Sequence, residues 1–449
     1  MNTGTPTTLN PESGLGPALP GPANITDRTL PNGMRALVRP NPVSPSVVVT
    51  GVLHAGALYE PAALPGLAGF MTALLERGTE DHTFAELSDE LEAIGADISI
   101  DSGRHTTGFD VKCLTEDLGR VLALLADMLG RPAFPSEQVE RVRGQILTGL
   151  KQRDNNTGHR AAMAFRNLAY GPDHPYGRDT DGSAESIRAI GRQDLVDFYA
   201  QTLRPAGGTV ALVGAIDPAA AVELLSATVG QWLAEDGAGG RNGTGPVHRA
   251  RPVVPMPALA TGQQREHVPM PGKTQSDVLI GNPAIGRTHP DWTPTSVANT
   301  VLGVFGLMGR LGENVRDRLG LAYHVSSRLS GGLGPGPWYA AAGVNPASVE
   351  PAIAAILDEM RRLQDEPVSA AELADIQAYV TGSLPLRLET NEGVAQAMLD
   401  MALYDLGLDY LEHFAQRIAA LTPEIVQKAA QTHLKPDVAT IAVAGPVGK

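Results

Sequence analysis

The chain has 449 residues and a formal net charge of −14, with an isoelectric point near 5.2. That length exceeds one ordinary hydrophobic core and suits two domains of about 200 residues each. The acidic balance argues against nucleic acid or an anionic membrane as partner, the single cysteine excludes an intramolecular disulfide framework, and no apolar run approaches the roughly 20 residues of a membrane span. Abundant Ala, Gly and Leu with few aromatic residues suggest a helix-rich protein from a GC-rich bacterial genome.

Residues 1–23 are rich in Pro, Gly and Thr and carry neither a basic leader nor an apolar core. They read as a disordered arm rather than a signal peptide, so a cytoplasmic location is expected. Residues 34–38 and 46–53 are strand-like, and residues 66–79 (GLAGFMTALLERGT) read as a helix. Strands follow at 97–102 and 107–114, and the alternation of the second places Cys113 in the core. A long helix starts after Pro135, with Ser136 or its neighbour placed to cap it, and reaches the stretch Ile146-Leu147-Thr148-Gly149-Leu150. A further helix, 195–205, ends at a proline-marked turn that feeds the apolar strand 209–214.

Residues 234–262 are crowded with Gly, Pro, Arg and Ala without a periodic apolar face, which marks a linker. Beyond it, strand patterns recur at 276–280 and 338–344, and the helix and strand of 195–214 recur as 425–436 and 440–445. The helix after Pro135 is likewise echoed by 368–382. The chain is therefore a tandem duplication, with a first domain over 24–233, a linker over 234–262 and a second domain over 263–449. Strands and helices in this order predict an α+β fold in which each domain has a mainly antiparallel or mixed sheet flanked by helices. The glycine-rich run 330–337 lacks the Lys-Ser/Thr ending of a phosphate loop, and two prolines remove amide donors, so it reads as a loop between strands.

The stretch 66–79 resembles the metal-binding helix of the insulinase-type M16 zinc peptidases. That family carries His-x-x-Glu-His, where residues at i, i+3 and i+4 share one helix face, two histidines hold zinc and the glutamate activates water. The matching positions here hold Gly69, Thr72 and Ala73, and the flanking Gly56, Glu60, Pro61, Gly66, Leu67, Ala68, Phe70, Gly78 and Thr79 fix that register. The family's further glutamate ligand, roughly 75 residues on, maps to Gly149 or its neighbour Thr148. His54, His82, His105 and His159 read as ordinary surface or satisfied core histidines, so no zinc or other cofactor is expected in this chain.

In the second domain, residues 311–325 (LGENVRDRLGLAYHV) are similar to the family stretch L-x-x-x-L-R-E-x-x-G-L-A-Y-x-V and contain Arg316 and Tyr323 at the family spacing. The resemblance implies that this pair binds substrate backbone and helps stabilise the oxyanion at the scissile carbonyl, since guanidinium and phenol both donate hydrogen bonds. Upstream, residues 301–311 occupy the place of a glycine-rich substrate-recognition segment, here broken by Phe305, Leu307 and Met308. The resemblance covers nearly the whole chain. It implies a noncatalytic subunit of a bacterial heterodimer whose partner bears His-x-x-Glu-His and the zinc, with unfolded peptides as substrates. The rival readings are a structural homologue like the core proteins of the respiratory bc1 complex, and a peptide-binding homodimer.

Overall fold

The computed structural model describes residues 19–233, 252–304 and 309–446. The first half builds one sheet from β1 (Thr26–Thr29), β2 (Arg35–Pro40), β3 (Ser46–Leu53), β4 (Asp97–Ser102), β5 (Thr107–Leu114) and β6 (Thr209–Gly214). Its helices are α1 (Leu67–Leu75), α2 (Phe84–Ile94), α3 (Leu118–Gly130), α4 (Ser136–Asp154), α5 (Thr157–Tyr170), α6 (Ala184–Ala189) and α7 (Arg192–Thr202), with α8 (Pro218–Ala227) after the last strand. The second half builds its sheet from β7 (Gln264–Pro269), β8 (Ser276–Pro283), β9 (Ala322–Leu329), β10 (Pro337–Val344) and β11 (Thr440–Gly445). Its helices are α9 (Trp292–Asn299), α10 (Val349–Asp365), α11 (Ala370–Arg387), α12 (Asn391–Leu403), α13 (Phe414–Ala419) and α14 (Pro423–His433).

The strand orders are β1-β2-β6-β3-β5-β4 and β7-β11-β8-β10-β9. Without β1 the two sheets have the same strand order. Each has one parallel pair, β2 with β6 and β7 with β11, and is antiparallel elsewhere. The duplication read from 195–214 and 425–445 is thus a duplication of topology. Strands β6 (TVALVG) and β11 (TIAVAG) are buried throughout, which is why they read as unbroken apolar runs instead of alternating ones.

Several strands have the bounds their patterns predict: β3, β4, β5, β6 and β11. Strand β7 escaped because QREHVP is an exposed edge with no apolar alternation. Cys113 is buried in β5 opposite Val47, and burial pushes its thiol up to about 11. At the long helices the capping expectation is half met. Ser369 accepts the Glu372 amide at 3.1 Å to cap α11, whereas α4 has Pro135 at the cap and Ser136 already inside the helix. Residues 1–18 of the expected arm and 234–251 of the expected linker lie outside the described residues, and 252–262 contain no helix or strand. Among the described residues no helix is long and apolar enough to cross a membrane.

Each sheet buries its inner face under helices of its own half, with Val49, Phe109 and Val111 meeting Phe70, Leu74 and Leu125 in the first core. Trp338, Ala340 and Val344 meet Ile356 and Met360 in the second. The outer faces are covered by exchange. Helix α5 of the first half packs on β7, β8 and β11 through Ala161, Ala164 and Phe165, and α12 of the second half packs on β3 and β6 through Val394, Met398 and Leu399. Both helices are tied at their starts to the sheet they cover. Thr157 Oγ1 donates to Asp277 Oδ2 at 2.5 Å, and Asn391 Nδ2 donates to the Ser46 carbonyl at 3.0 Å.

Candidate functional site

Helix α1 begins at Gly66, whose φ of 91° and close neighbours, the Asp181 carbonyl and the Ile187 side chain, leave no room for a Cβ. It is apolar almost all round, with Leu67, Phe70, Met71, Leu74 and Leu75 buried, as befits a core helix. Gly69, Thr72 and Ala73 lie on this helix, and α1 packs on α4, which carries Gly149. A Cβ at Gly69 or Gly149 would meet nothing within 4 Å, so the space for longer side chains exists without the side chains. Thr72 is 2% exposed, and its hydroxyl lies 3.2 Å from the Ala68 carbonyl and 3.1 Å from that of Gly69. Two glycines, a methyl group and an internally bonded hydroxyl do not fit a zinc ion, which needs imidazole, thiolate or carboxylate donors.

A carboxylate at the start of this helix has another task. Glu60 accepts the Gly66 amide at 3.1 Å and the Ala68 amide at 2.7 Å, closing the first turn of α1. Burial dominates these bonds and pushes its pKa up to about 7. The folded chain therefore holds a proton at Glu60 that the unfolded chain, titrating near pH 4.3, has released. The resulting stabilisation is fully present below about pH 4 and is lost as the pH rises through 7, a swing on the order of 3 kcal/mol. Denaturant unfolding of the native chain and of Glu60→Gln between pH 4.5 and 7.5 should show this slope in the native chain alone; parallel curves would remove the assignment.

Arg316 and Tyr323 stand in the second half, on consecutive elements. Arg316 lies in a π-helical turn, Gly312–Arg318, a rare geometry that is frequent at functional sites. Arg310 anchors the start of this segment by a paired contact to Glu372 of α11, both at 3.0 Å. Asn314 holds it to Glu359 of α10 at 2.5 Å. The Arg316 Nε donates to Asp317 at 2.8 Å, an exposed bond that raises the arginine and lowers the aspartate. The guanidinium has five N–H donors, so its Nη groups stay available for a ligand oxygen.

Gly320, at φ 62°, ends the turn and starts β9, the free edge of the sheet. There Ala322 pairs with Val344 and His324 with Gly343, so Tyr323 is the extra residue of a β-bulge. A bulge redirects a side chain, and Tyr323 is 65% exposed. The equivalent turn of the first half ends at Gly95, φ 61°, before the regular strand β4. Counted from these two glycines, Leu91 and Ile98 occupy the places of Arg316 and Tyr323. Both pack on the first core, Ile98 buried and Leu91 half-buried, whereas the second repeat carries a half-buried arginine and an exposed tyrosine at these places.

The upstream glycines also approach β9: a Cβ on Gly303 would lie 2.8 Å from the Ser327 amide, and one on Gly309 2.9 Å from Gly303. Phe305, Leu307 and Met308, expected to interrupt this segment, lie outside the described residues. The glycine-rich run 330–337 joins β9 to β10 as a loop, as read from its prolines.

Among the four histidines read as ordinary, His82 bonds Asp127 at 3.0 Å and His105 bonds the Tyr176 hydroxyl at 2.5 Å. A grouping invisible at sequence distance is His289, Asp291 and His433, whose possible ligand atoms lie within 4.8 Å of one another. His433 Nε2 bonds Asp291 at 2.8 Å, and the Asp291 amide donates to His289 Nδ1 at 3.0 Å. That bond puts the proton of a neutral His289 ring on Nε2, the nitrogen a metal would need, so the trio reads as a tie between α9 and α14. Sequence reading also missed the cavity between the halves lined by Arg104, Arg166, Arg287 and Arg328. These arginines come from four separate stretches of chain, and no local motif announces them.

Two duplicated α+β halves, a helix pair with no imidazole or carboxylate at Gly69, Thr72, Ala73 and Gly149, and an Arg/Tyr pair by a bulged sheet edge define a chain of the zinc-peptidase fold class. Residues 35–174 match the family described as insulinase (peptidase family M16), and residues 189–380 match the peptidase M16 inactive domain. The chain belongs to the M16 family. It is 25% identical over 429 residues to an uncharacterized zinc protease of Streptomyces coelicolor, spanning 95% of this chain and 89% of that protein. It is 27% identical to an uncharacterized zinc protease of Mycobacterium tuberculosis, spanning 96% of each. The bovine mitochondrial-processing peptidase subunit beta is 24% identical, over 93% of this chain and 84% of that protein. A crystal structure of a peptidase M16 inactive domain from Pseudomonas fluorescens matches with a TM-score of 0.85 at 25% identity, covering 94% of this chain and 98% of that one. A protease from Helicobacter pylori shares the fold at the same TM-score and 20% identity, covering 94% and 99%.

Proposed function

We propose that this chain is the noncatalytic subunit of a bacterial M16 zinc peptidase heterodimer. It closes a peptide chamber with a subunit that bears His-x-x-Glu-His and the zinc. Arg316 and Tyr323 bind the backbone of an unfolded peptide and donate to the oxyanion formed at the scissile carbonyl. The observation that carries this reading is the division between the halves: the matching positions of α1 and α4 hold no imidazole or carboxylate, while the second repeat places a half-buried arginine and an exposed tyrosine where the first packs Leu91 and Ile98 on its core. A purely structural subunit has no physical need for such donors at a bulged sheet edge. Neither residue can hydrolyse a peptide alone, because a guanidinium and a phenol supply hydrogen-bond donors but not the base and activated water that hydrolysis needs. A cytoplasmic setting belongs to the same proposal.

The test is hydrolysis of unfolded peptides with zinc present, first by this chain, then by the His-x-x-Glu-His-bearing M16 protein of the same source, then by the mixture. Turnover that requires both chains is the expected result. Partner activity that ignores this chain, with no complex formed, would move the protein to a structural or self-associating role.

A further inference from the structure

Where the two halves meet, between the ends of the exchanged helices, lies a cavity of about 510 Å³, in the range of small-molecule sites. The first half contributes Arg104, His105, Arg166, Tyr170 and Tyr176, and the second Arg287, Trp292, Arg328, Tyr339 and Tyr404, with the glycine-rich loop along one wall. Four arginines therefore face one space in a chain whose net charge is −14. The only carboxyl in the lining is Asp400, which accepts from Gln396 at 2.8 Å. None of the four arginines is ion-paired among the described residues.

The contrast with another large cavity, of about 570 Å³, is direct. There Arg153 is neutralised by Asp179 at 2.6 Å and Asp181 at 2.7 Å. In the inter-half cavity two arginines are fixed and two are free at their tips. Arg104 donates to the carbonyls of Pro175 and Arg178 and stacks 5.2 Å over Tyr176. Arg287 donates to the Tyr410 hydroxyl at 3.1 Å and stacks on Trp292 at 5.1 Å. Arg166 reaches only the Met163 sulfur, at 4.0 Å, and Arg328, exposed on β9, has no hydrogen bond among the described residues.

Clustered like charges repel, and part-burial strengthens the repulsion. Burial, and then the charge of Arg166, lower the Arg104 guanidinium, and burial together with Arg104 holds His105 down to about 4. An arrangement of this kind is relieved by an anion with several oxygens, for which planar guanidinium groups are matched donors.

We infer that the inter-half cavity is a binding site for a small polyanion, a ligand carrying two or more phosphate or carboxylate groups, gripped by Arg166 and Arg328 with Arg104 and Arg287 behind them. The site goes beyond the proposed peptidase role and is read on the isolated chain without hydrolysis. Titration calorimetry at low ionic strength with inorganic tripolyphosphate, and separately with citrate, tests it and distinguishes the phosphate from the carboxylate source. The expected result is one-to-one binding of at least one probe, weakened as salt rises and weakened tenfold or more by Arg166→Met and by Arg328→Met. Arg361→Met, on the outer surface of α10, should leave binding unchanged. Neither replaced side chain holds the fold by a hydrogen bond to oxygen, and circular dichroism would verify that both variants are native. Absence of binding by both probes up to about 10 mM, or binding indifferent to the two cavity variants, would overturn the site.

Discussion

In the proposed two-chain peptidase, Arg316→Met and Tyr323→Phe should each lower kcat by about 100-fold while the complex still assembles. Each substitution removes a donor aimed at charge that develops only in the transition state, and loss of one such donor typically costs about 2.7–4 kcal/mol of barrier. Neither change disturbs folding. Tyr323 is 65% exposed on a bulge and Arg316 is bonded only to its exposed neighbour Asp317. Steady-state kinetics with size-exclusion chromatography on the same samples would separate chemistry from assembly. Unaltered kcat in both variants would leave the pair without an oxyanion role. A loss confined to KM would assign it to backbone binding that is equal in ground and transition states.

The second large effect concerns the exchanged helices. Phe165 is 1% exposed on α5 and stacks against Tyr339 of the other half at 5.7 Å, and Met398 is fully buried on α12 against the first sheet. Phe165→Ala should cost about 3–5 kcal/mol and Met398→Ala about 2–5 kcal/mol in denaturant unfolding. Because each helix covers the sheet of the opposite half, both substitutions should weaken the whole chain in one transition instead of melting one half first. Residues 24–233 and 263–449, expressed separately, would each bare one apolar sheet face and should recover native circular dichroism only when mixed. Independent folding of either fragment would contradict this account.

Much of this was legible in the sequence where local physics decides the outcome. The apolar runs of β3, β6 and β11 and the alternation of β5 have one stable use each, and Gly69, Thr72, Ala73 and Gly149 plainly lack ligand atoms. What was not legible depends on long-range placement. Edge strand β7 is polar and carries no alternation. The exchange of α5 and α12 leaves no local trace, because an amphipathic helix buries its stripe equally well against either sheet. The bulge at Tyr323 follows from the pairing of β9 with β10, and the arginine cavity gathers residues as distant as Arg104 and Arg328.

The exchange also bears on how far the two halves can differ. A single repeat of this topology would leave its outer sheet face bare, and a symmetric dimer of two such repeats would cover both faces by trading helices as α5 and α12 do here. In such a dimer every substitution is made twice, and a metal site and an outward-facing Arg/Tyr pair must rise or fall in both copies together. Two repeats in one chain are free of that symmetry. In the single chain one half has no ligand side chains at Gly69, Thr72, Ala73 and Gly149 while the other carries Arg316 and Tyr323 where the first packs Leu91 and Ile98, a division of labour closed to a symmetric dimer of identical repeats.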